Sequence, residues 1–203
     1  MSIEQEIHMR VLLLGKENTK VANFLLENEN LIITEIKINL EYLEKVNPDF
    51  IISYNYRYLI EEEIIDNFPD QIINLHISYL PWNRGADPNL WSFIDDTPKG
   101  VTIHKITAGL DKGDILLQRK ITFQDIETLY TSYMKLQDEI QTLFIDNWNR
   151  LKNNLIFAES QVGKGSYHRR KDKEKILSLL PNGWNTKIWE LKEIIQTNRE
   201  ILL

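Results

Sequence analysis

The sequence predicts an α/β fold with a mainly parallel sheet flanked by helices, followed by a short C-terminal appendage. Short apolar runs that end at turn residues alternate with stretches of helical periodicity, a pattern typical of βαβ units. The chain has 203 residues, of which 42% are hydrophobic, so it can bury a substantial core. We assign residues 1–155 to the core and residues 156–203 to the appendage.

The elements follow from these patterns in chain order. Met9–Leu14 is a short apolar run ended by Gly15 and predicts a buried strand, and Thr19–Asn28 has the apolar spacing of a helix packed on it. The other predicted strands are Leu31–Ile38, Phe50–Tyr54, Gln71–His76, Gly100–Ile106 and Asp114–Gln118. The other predicted helices are Glu61–Asn67, a long amphipathic helix over Ile126–Leu151, and a final helix from Asn185.

Composition excludes several classes of protein. The chain has no Cys, and its four His lack metal-ligand spacing, so we expect no disulfide and no metal. A net charge of −6 argues against nucleic-acid binding. No run approaches the ~18 apolar residues of a membrane span, and Met1–Glu6 lacks the features of a secretory signal. We therefore expect a cytoplasmic protein with small-molecule partners.

Asn74 and His76 stand at the end of the predicted strand Gln71–His76, and Asp111 follows in Gly-Leu-Asp-Lys-Gly-Asp. Alternate strand residues share a face, and α/β sheets bind ligands at the carboxyl ends of their strands. Asn74 can donate to a developing oxyanion and His76 can exchange a proton near neutral pH. Asp111 can hold an imidazole tautomer or take part in proton transfer. Together these groups suit acyl transfer to an amine.

The stretch Ile73–Ala86, Ile-Asn-Leu-His-Ile-Ser-Tyr-Leu-Pro-Trp-Asn-Arg-Gly-Ala, resembles the signature of the formyltetrahydrofolate-dependent formyltransferases. That family has an Asn-x-His strand end, Ser-x-Leu-Pro and an Arg-Gly turn, then a Gly-x-Thr strand and an Asp-x-Gly turn. The last two are here Gly100–Thr102 and Leu110–Gly113. The resemblance spans residues 9–155 and implies a Rossmann-like core with N10-formyltetrahydrofolate as cosubstrate.

By this resemblance Asn74, His76 and Asp111 are the catalytic residues, and the general base is either His76 or a water ordered by Asp111. The folate pocket is framed by the segment after the third strand and the loop before Asp111. Its expected residues are Tyr54, Tyr56, Tyr58, Leu59, Thr107, Ala108, Gly109 and Leu110. As a strand extension the three tyrosines would share one face and either stack on the cosubstrate or pack at the strand end. His104 has either a role in buttressing the site or a structural role, and we favour the structural one.

Three formyl acceptors compete within the family. Glycinamide ribonucleotide enzymes have a Gly-rich phosphate loop after the first strand, whereas Gly15–Lys20 holds one glycine and an acidic residue. The tRNA enzymes add a basic C-terminal domain, whereas this chain is acidic and short. The third group acts on nucleotide-linked amino sugars and carries a loop like Leu80–Asn89 and a charged Tyr-His segment like Ser166–Lys171.

The third interpretation predicts formylation of a 4-amino-4,6-dideoxyhexose linked to dTDP, in O-antigen or other surface-polysaccharide synthesis. Arg84, with Arg169 or Lys171, is expected at the diphosphate, and Trp82 or Tyr167 on the base. The full set of expected acceptor-binding residues is Trp82, Asn83, Arg84, Gly85, Asp87, Tyr167 and Arg169.

Three alternatives remain open at this point: another amine acceptor such as glycinamide ribonucleotide, a deformylase in which water attacks in place of an amine, or a non-catalytic module that binds folate or a sugar nucleotide. The tail of the chain carries a further expectation. Its apolar residues predict a homodimer surface; they are Ile188, Trp189, Leu191, Ile194 and Ile195.

Overall fold

The computed structural model describes residues 8–198. The elements are β1 (Arg10–Leu14), α1 (Lys20–Asn28), β2 (Asn30–Thr34), α2 (Leu40–Val46), β3 (Phe50–Tyr54), α3 (Glu62–Asn67), β4 (Ile72–His76), β5 (Arg84–Gly85), α4 (Pro88–Ile94), β6 (Gly100–Lys105), β7 (Ile115–Lys120), α5 (Leu129–Lys152), β8 (Tyr167–His168), α6 (Glu174–Leu177) and α7 (Ile188–Thr197). The expectation of no secretory signal rests on Met1–Glu6, which lies outside the described residues. Residues 1 and 203, which begin the predicted core and end the predicted appendage, also lie outside them.

Six strands form one mixed sheet in the order β2-β1-β3-β4-β6-β7. The first four pair in parallel, and β6 and β7 are antiparallel to their neighbours. β5 and β8 form a separate parallel pair. The predicted α/β class with a mainly parallel sheet is therefore confirmed.

Strand β1 is buried on both faces, which explains its unbroken apolar sequence. Val11 and Leu13 pack into a core with α1 and α5, whereas Leu12 and Leu14 pack into a second core on the opposite face with α2 and α3. Helices therefore cover both faces of the sheet and leave the carboxyl ends of β1, β3 and β4 as the edge where a ligand can bind.

The two principal helices begin at side-chain caps that the sequence contains. The Thr19 hydroxyl accepts a hydrogen bond from the Ala22 amide at 3.0 Å at the start of α1. Thr128 and Thr131 form a reciprocal capping box at the start of α5. Such caps satisfy amides that the first helical turn leaves without partners.

The C-terminal segment packs on the core through a third apolar cluster. Ile188 and Leu191 of α7 are buried against α4 and the start of α5, while Trp189 remains 42% exposed. The apolar tail was expected to form a homodimer surface. In the structure, Ile188 and Leu191 instead pack within the same chain, where they cover the apolar face of helix α4. The homodimer remains a prediction, but two of the five apolar residues that suggested it, Ile188 and Leu191, are buried within the chain.

Helices capable of crossing a membrane would need a long apolar stretch, and none of the helices within residues 8–198 has one.

Phe144→Ala should destabilise the fold by about 3–5 kcal/mol, the usual cost of truncating a fully buried Phe. Phe144 lies on the inner face of α5 and is 0% exposed. The matched control is Met134→Ala on the same helix, because Met134 is 47% exposed and exposed substitutions usually change stability by less than about 0.5 kcal/mol. Urea unfolding of the three proteins measures the difference, and equal midpoints would contradict the assigned packing.

Candidate active site

Asn74 and His76 lie at the carboxyl end of β4, on one face of the sheet. In the antiparallel pairing with β6, Asn74 stands opposite His104 and His76 opposite Thr102. The His76 side chain is buried, and its Nε2 atom lies 3.4 Å from the Asn83 carbonyl oxygen and 3.7 Å from Oδ2 of Asp111. Both neighbours only accept hydrogen bonds, so this geometry favours a proton on Nε2 of His76.

Asp111 reaches the same point from the turn between β6 and β7. Its backbone is left-handed, with a φ of 52°. Oδ2 accepts a hydrogen bond from the Gly85 amide at 2.8 Å, and Oδ1 accepts one from Nδ2 of Asn74 at 3.3 Å. The structure thus brings Asp111, which is 37 residues from Asn74 in sequence, into one cluster with Asn74 and His76.

His104 also belongs to this cluster, although the sequence analysis favoured a structural role for it. Its Nδ1 donates to the Lys105 carbonyl oxygen at 2.8 Å, and its Nε2 atom lies 3.2 Å from Nδ2 of Asn74. The same Nε2 atom lies 3.6 Å from Oδ1 of Asp111. The sequence alone does not reveal this contact, because the position of His104 opposite Asn74 follows only from the register of β4 and β6.

Burial and charge set the protonation of the cluster. Burial lowers the pKa of His76 below its ordinary 6.5, an effect that the charge of Asp111 opposes and the His104 ring reinforces. Burial by itself would raise the pKa of Asp111, but the His76 and His104 rings and the Gly85 amide hold it well below 3.8. At neutral pH the site therefore presents a neutral imidazole beside an ionised carboxylate, a base and its partner.

A cavity of about 760 Å³ opens on this cluster. Asn74, His76, His104 and Asp111 all line it. Of the residues expected to bind folate, Tyr56, Tyr58, Leu59, Thr107, Gly109 and Leu110 line the cavity, and Tyr54 and Ala108 do not. Of those expected to bind the acceptor, Gly85, Asp87 and Tyr167 line it, and Trp82, Asn83, Arg84 and Arg169 do not.

The three tyrosines do not share a face, because the strand they were assigned to ends at Tyr54. Asn55 has a left-handed φ of 57°, which breaks the alternation. The Tyr54 side chain is buried and its hydroxyl donates to Gln137 of α5. The Tyr56 hydroxyl accepts from the Ile38 amide at 3.1 Å and donates to the Ile36 carbonyl oxygen at 2.7 Å, whereas Tyr58 is 38% exposed at the cavity.

Four residues predicted to meet the acceptor have other positions. The Asn83 side chain is fully buried and donates to Thr97 at 2.7 Å. The Arg84 guanidinium donates twice to Oε1 of Gln161, at 2.7 and 3.1 Å, and the Arg169 guanidinium pairs with Asp172 at 3.2 Å. Trp82 is half-buried in the loop after β4. The Arg84 contact joins residues 77 positions apart, which sequence spacing does not predict.

The cavity has an aromatic wall that the sequence analysis did not assign. Its members come from the start of α5 and from a short 3-10 helix at Gly183–Asn185, and they are Tyr130, Tyr133 and Trp184. Each remains between 39% and 53% exposed. Tyr130 and Tyr133 lie in the first turns of α5, whose helical periodicity predicted packing against the core and not a cavity wall.

The chain is similar to known proteins in both sequence and structure. The formyl transferase family model matches residues 14–147. The formyltransferase PseJ from Anoxybacillus kamchatkensis, solved with UDP-4,6-dideoxy-4-formamido-L-AltNAc and tetrahydrofolate, is 48% identical, with a TM-score of 0.84 over 89% of this chain and 96% of that chain. A 4-N formyltransferase from Francisella tularensis is 21% identical, with a TM-score of 0.72 over 84% of this chain and 80% of that chain.

A relative of another acceptor class also matches. The methionyl-tRNA formyltransferase of Finegoldia magna is 35% identical over 127 residues, which are 59% of this chain and 41% of that protein. The chain thus spans less than half the length of this curated relative. Because the family model covers more than half of the chain, the chain belongs to the formyl transferase family of formyl-transferring enzymes and resembles its sugar-nucleotide N-formyltransferases.

Proposed function

We propose that the chain transfers a formyl group from N10-formyltetrahydrofolate to the C4 amine of a nucleotide-linked 4-amino-4,6-dideoxyhexose. The observation that carries the proposal is the cluster of Asn74, His76 and Asp111 at a cavity with two different walls. One wall is formed by Tyr58, Leu59 and the loop before Asp111, and the other is aromatic. Each wall suits one of the two substrates.

The folate wall fits a flat heterocycle. Tyr58 and Leu59 remain 38% and 69% exposed at the cavity, so their apolar surfaces are free to cover a ring. Thr107, Gly109 and Leu110 bring a loop backbone to the same wall, where amide and carbonyl groups can pair with a pterin edge. When bound there, N10-formyltetrahydrofolate supplies an activated formyl group.

His76 and Asn74 then have separate roles in the transfer. The neutral His76 imidazole accepts the proton that the attacking amine loses as its nitrogen bonds to the formyl carbon. The same proton can pass on to the departing nitrogen of the donor. Asn74 directs its amide at His104 and Asp111 over 3.2 and 3.3 Å, so it stabilises an oxyanion when the formyl oxygen replaces one of these acceptors. Asp111 stays ionised and balances the positive charge on His76.

The aromatic wall fits the nucleotide of the acceptor. Tyr130, Tyr167 and Trp184 offer exposed rings on which a nucleobase can stack. Lys173 lies at this rim, 2.8 Å from Asp87 and 5.9 Å from the centre of the Trp184 ring. We propose Lys173 as the cation that meets the diphosphate, in place of Arg84, whose guanidinium is bound to Gln161.

The base of the nucleotide distinguishes two versions of this function. The sequence motifs favoured a dTDP-linked sugar. PseJ, which is 48% identical, was solved with a UDP-linked 4-formamido sugar. This similarity favours a UDP-linked acceptor over a dTDP-linked one. The product keeps its nucleotide diphosphate leaving group, so a glycosyl transfer is the reaction that consumes it. Such a product suits cytoplasmic synthesis of a surface polysaccharide such as O-antigen.

Purified protein with N10-formyltetrahydrofolate should formylate a UDP-linked 4-amino-4,6-dideoxyhexose with a higher kcat/KM than the dTDP-linked sugar, and should leave glycinamide ribonucleotide unmodified. Mass spectrometry of the acceptor measures the added formyl group. Lys173→Met should raise the KM of the acceptor far more than that of the folate, because a diphosphate contact serves only the acceptor. Transfer to glycinamide ribonucleotide and to neither sugar nucleotide would reject the acceptor assignment but not the family.

A further inference from the structure

Arg84 and Gln161 form a hydrogen-bonded bridge behind Asp111, outside the cavity lining. Gln161 has one side-chain amide, and all its hydrogen-bonding capacity is used. Its nitrogen donates to the carbonyl oxygens of Asp111 and Gly113, both at 2.8 Å. Its oxygen accepts two hydrogen bonds from the Arg84 guanidinium, at 2.7 and 3.1 Å. The guanidinium therefore fixes which way the amide points, because a reversed amide would direct its NH₂ at a cation.

The turn that carries Asp111 needs such support. Asp111 has a left-handed backbone, which is unfavourable for any residue with a Cβ atom. At Gly113 a Cβ atom would lie 1.7 Å from the Lys105 carbonyl oxygen, so the turn is pressed against β6. A backbone held in this conformation persists only when its surroundings determine it, and Gln161 binds a carbonyl oxygen at each end of the strained segment.

The Arg84-Gly85 dipeptide contacts Asp111 by two routes. The Gly85 amide donates directly to the carboxylate at 2.8 Å, while Arg84 acts on the main chain of Asp111 through Gln161. The dipeptide forms β5, which pairs with β8. The carbonyl oxygens of Ser166, just before β8, and of His168 accept hydrogen bonds from the amides of Arg84 and Ala86 at 3.0 and 2.9 Å. A Cβ atom at Gly85 would lie 2.4 Å from the His168 carbonyl oxygen, so only glycine allows this approach.

We propose that Gln161, oriented by Arg84, is a positioning residue that sets the place of the Asp111 carboxylate between His76 and Asn74. Neither residue lines the cavity. Their effect on formyl transfer passes through Asp111, whose Oδ2 atom stands 3.7 Å from Nε2 of His76. A segment distant in sequence, beyond α5, thereby controls the geometry of the catalytic turn. The inference rests on the family reaction and not on which acceptor is used.

Kinetics of Gln161→Met test the proposal. The substitution keeps the length of the side chain and removes both donors, so kcat should fall by about 10- to 100-fold, the usual effect of misplacing a catalytic group. The KM values of both substrates should stay within a few-fold. Ser160→Ala is the matched control, since it removes a neighbouring hydrogen bond to Asp114 of 2.9 Å and leaves Asp111 untouched. Its kcat should equal that of the parent protein.

Three further measurements exclude a merely structural role. In an Asp111→Asn background, Gln161→Met should have no additional effect on kcat, because the two changes act through one group. Arg84→Met should lower kcat without raising the KM of the acceptor. Gln161→Met should also lower the pKa of His76, followed by NMR of its ring protons, because Asp111 raises that pKa and would move away.

The outcomes separate this proposal from the proposed acceptor. Additive losses in the double variant, or a loss confined to the KM of the acceptor, would overturn it. Should no amino-sugar nucleotide be formylated, the NMR titration still decides, because it needs no substrate: a His76 pKa that is the same in Gln161→Met and the parent protein would reject the positioning role. Thermal unfolding of each variant establishes that the protein measured is folded.

Discussion

His76→Asn is expected to lower kcat for formyl transfer by about 10²- to 10⁴-fold, the usual contribution of a positioned general base. The His76 ring is buried beside an ionised carboxylate, and its pKa lies below 6.5 because burial disfavours the cation. It is therefore neutral and able to accept a proton over the whole physiological range. Asn has a similar reach along the same strand but no group that titrates, so it removes the base and keeps the polarity.

His168→Asn provides the matched control for this experiment. His168 is also paired with a carboxylate, at 2.7 Å from Asp95, and stacks on Trp91, but its side chain lies outside the catalytic cluster. Its replacement should change kcat only a few-fold. Single-turnover kinetics with a saturating acceptor make the comparison. Near-parental turnover by His76→Asn would remove this ring from proton transfer and leave a water ordered by Asp111 as the base.

Local sequence signals predicted most of the sheet. The apolar runs of β1, β3 and β4 and the start of α1 lie within a residue or two of their predicted places. For the strands the reason is that burial on both faces demands a continuous apolar segment. The strand predicted at Leu31–Ile38 ends at Thr34. Three helices were not predicted. Helices α2 and α4 have seven residues each, α4 begins with Pro88 after a left-handed Asp87, and α6 has only four residues. Segments this short do not show a sustained apolar periodicity.

The sequence predicted that Asn74, His76 and Asp111 belong to one site, and the structure brings them together, whereas their supporting contacts could not be predicted. Asn74 and His76 share a strand, so their relation is local. The contacts of Arg84 with Gln161 and of Gly85 with Asp111 join segments that are 77 and 26 residues apart, and β5 and β8 contain two residues each. Pairings this short leave no pattern in composition or periodicity. An Arg beside a glycine therefore suggested a ligand contact, whereas in the structure its guanidinium donates to Gln161.

Asp111→Asn should lower kcat by about 10²- to 10³-fold, which is the effect of losing one preorganised electrostatic group, and should change the KM values of both substrates only a few-fold. Two donors, the Gly85 amide and Nδ2 of Asn74, now point at the carboxylate. A carboxamide has a single oxygen, so one of these donors must face an NH₂ group. The substitution thus removes the charge beside His76 and also disturbs Asn74.

The same substitution makes a second, independent prediction for His76. The charge of Asp111 raises the pKa of the buried ring, so its loss should move the His76 titration further below 6.5, and NMR of the ring protons measures the shift. Asp114→Asn is the control, because Asp114 lies in the same turn but contacts Ser160; it should leave both kcat and the titration unchanged. A loss in folate KM alone, with an unmoved His76 pKa, would reassign Asp111 from the chemistry to cosubstrate binding.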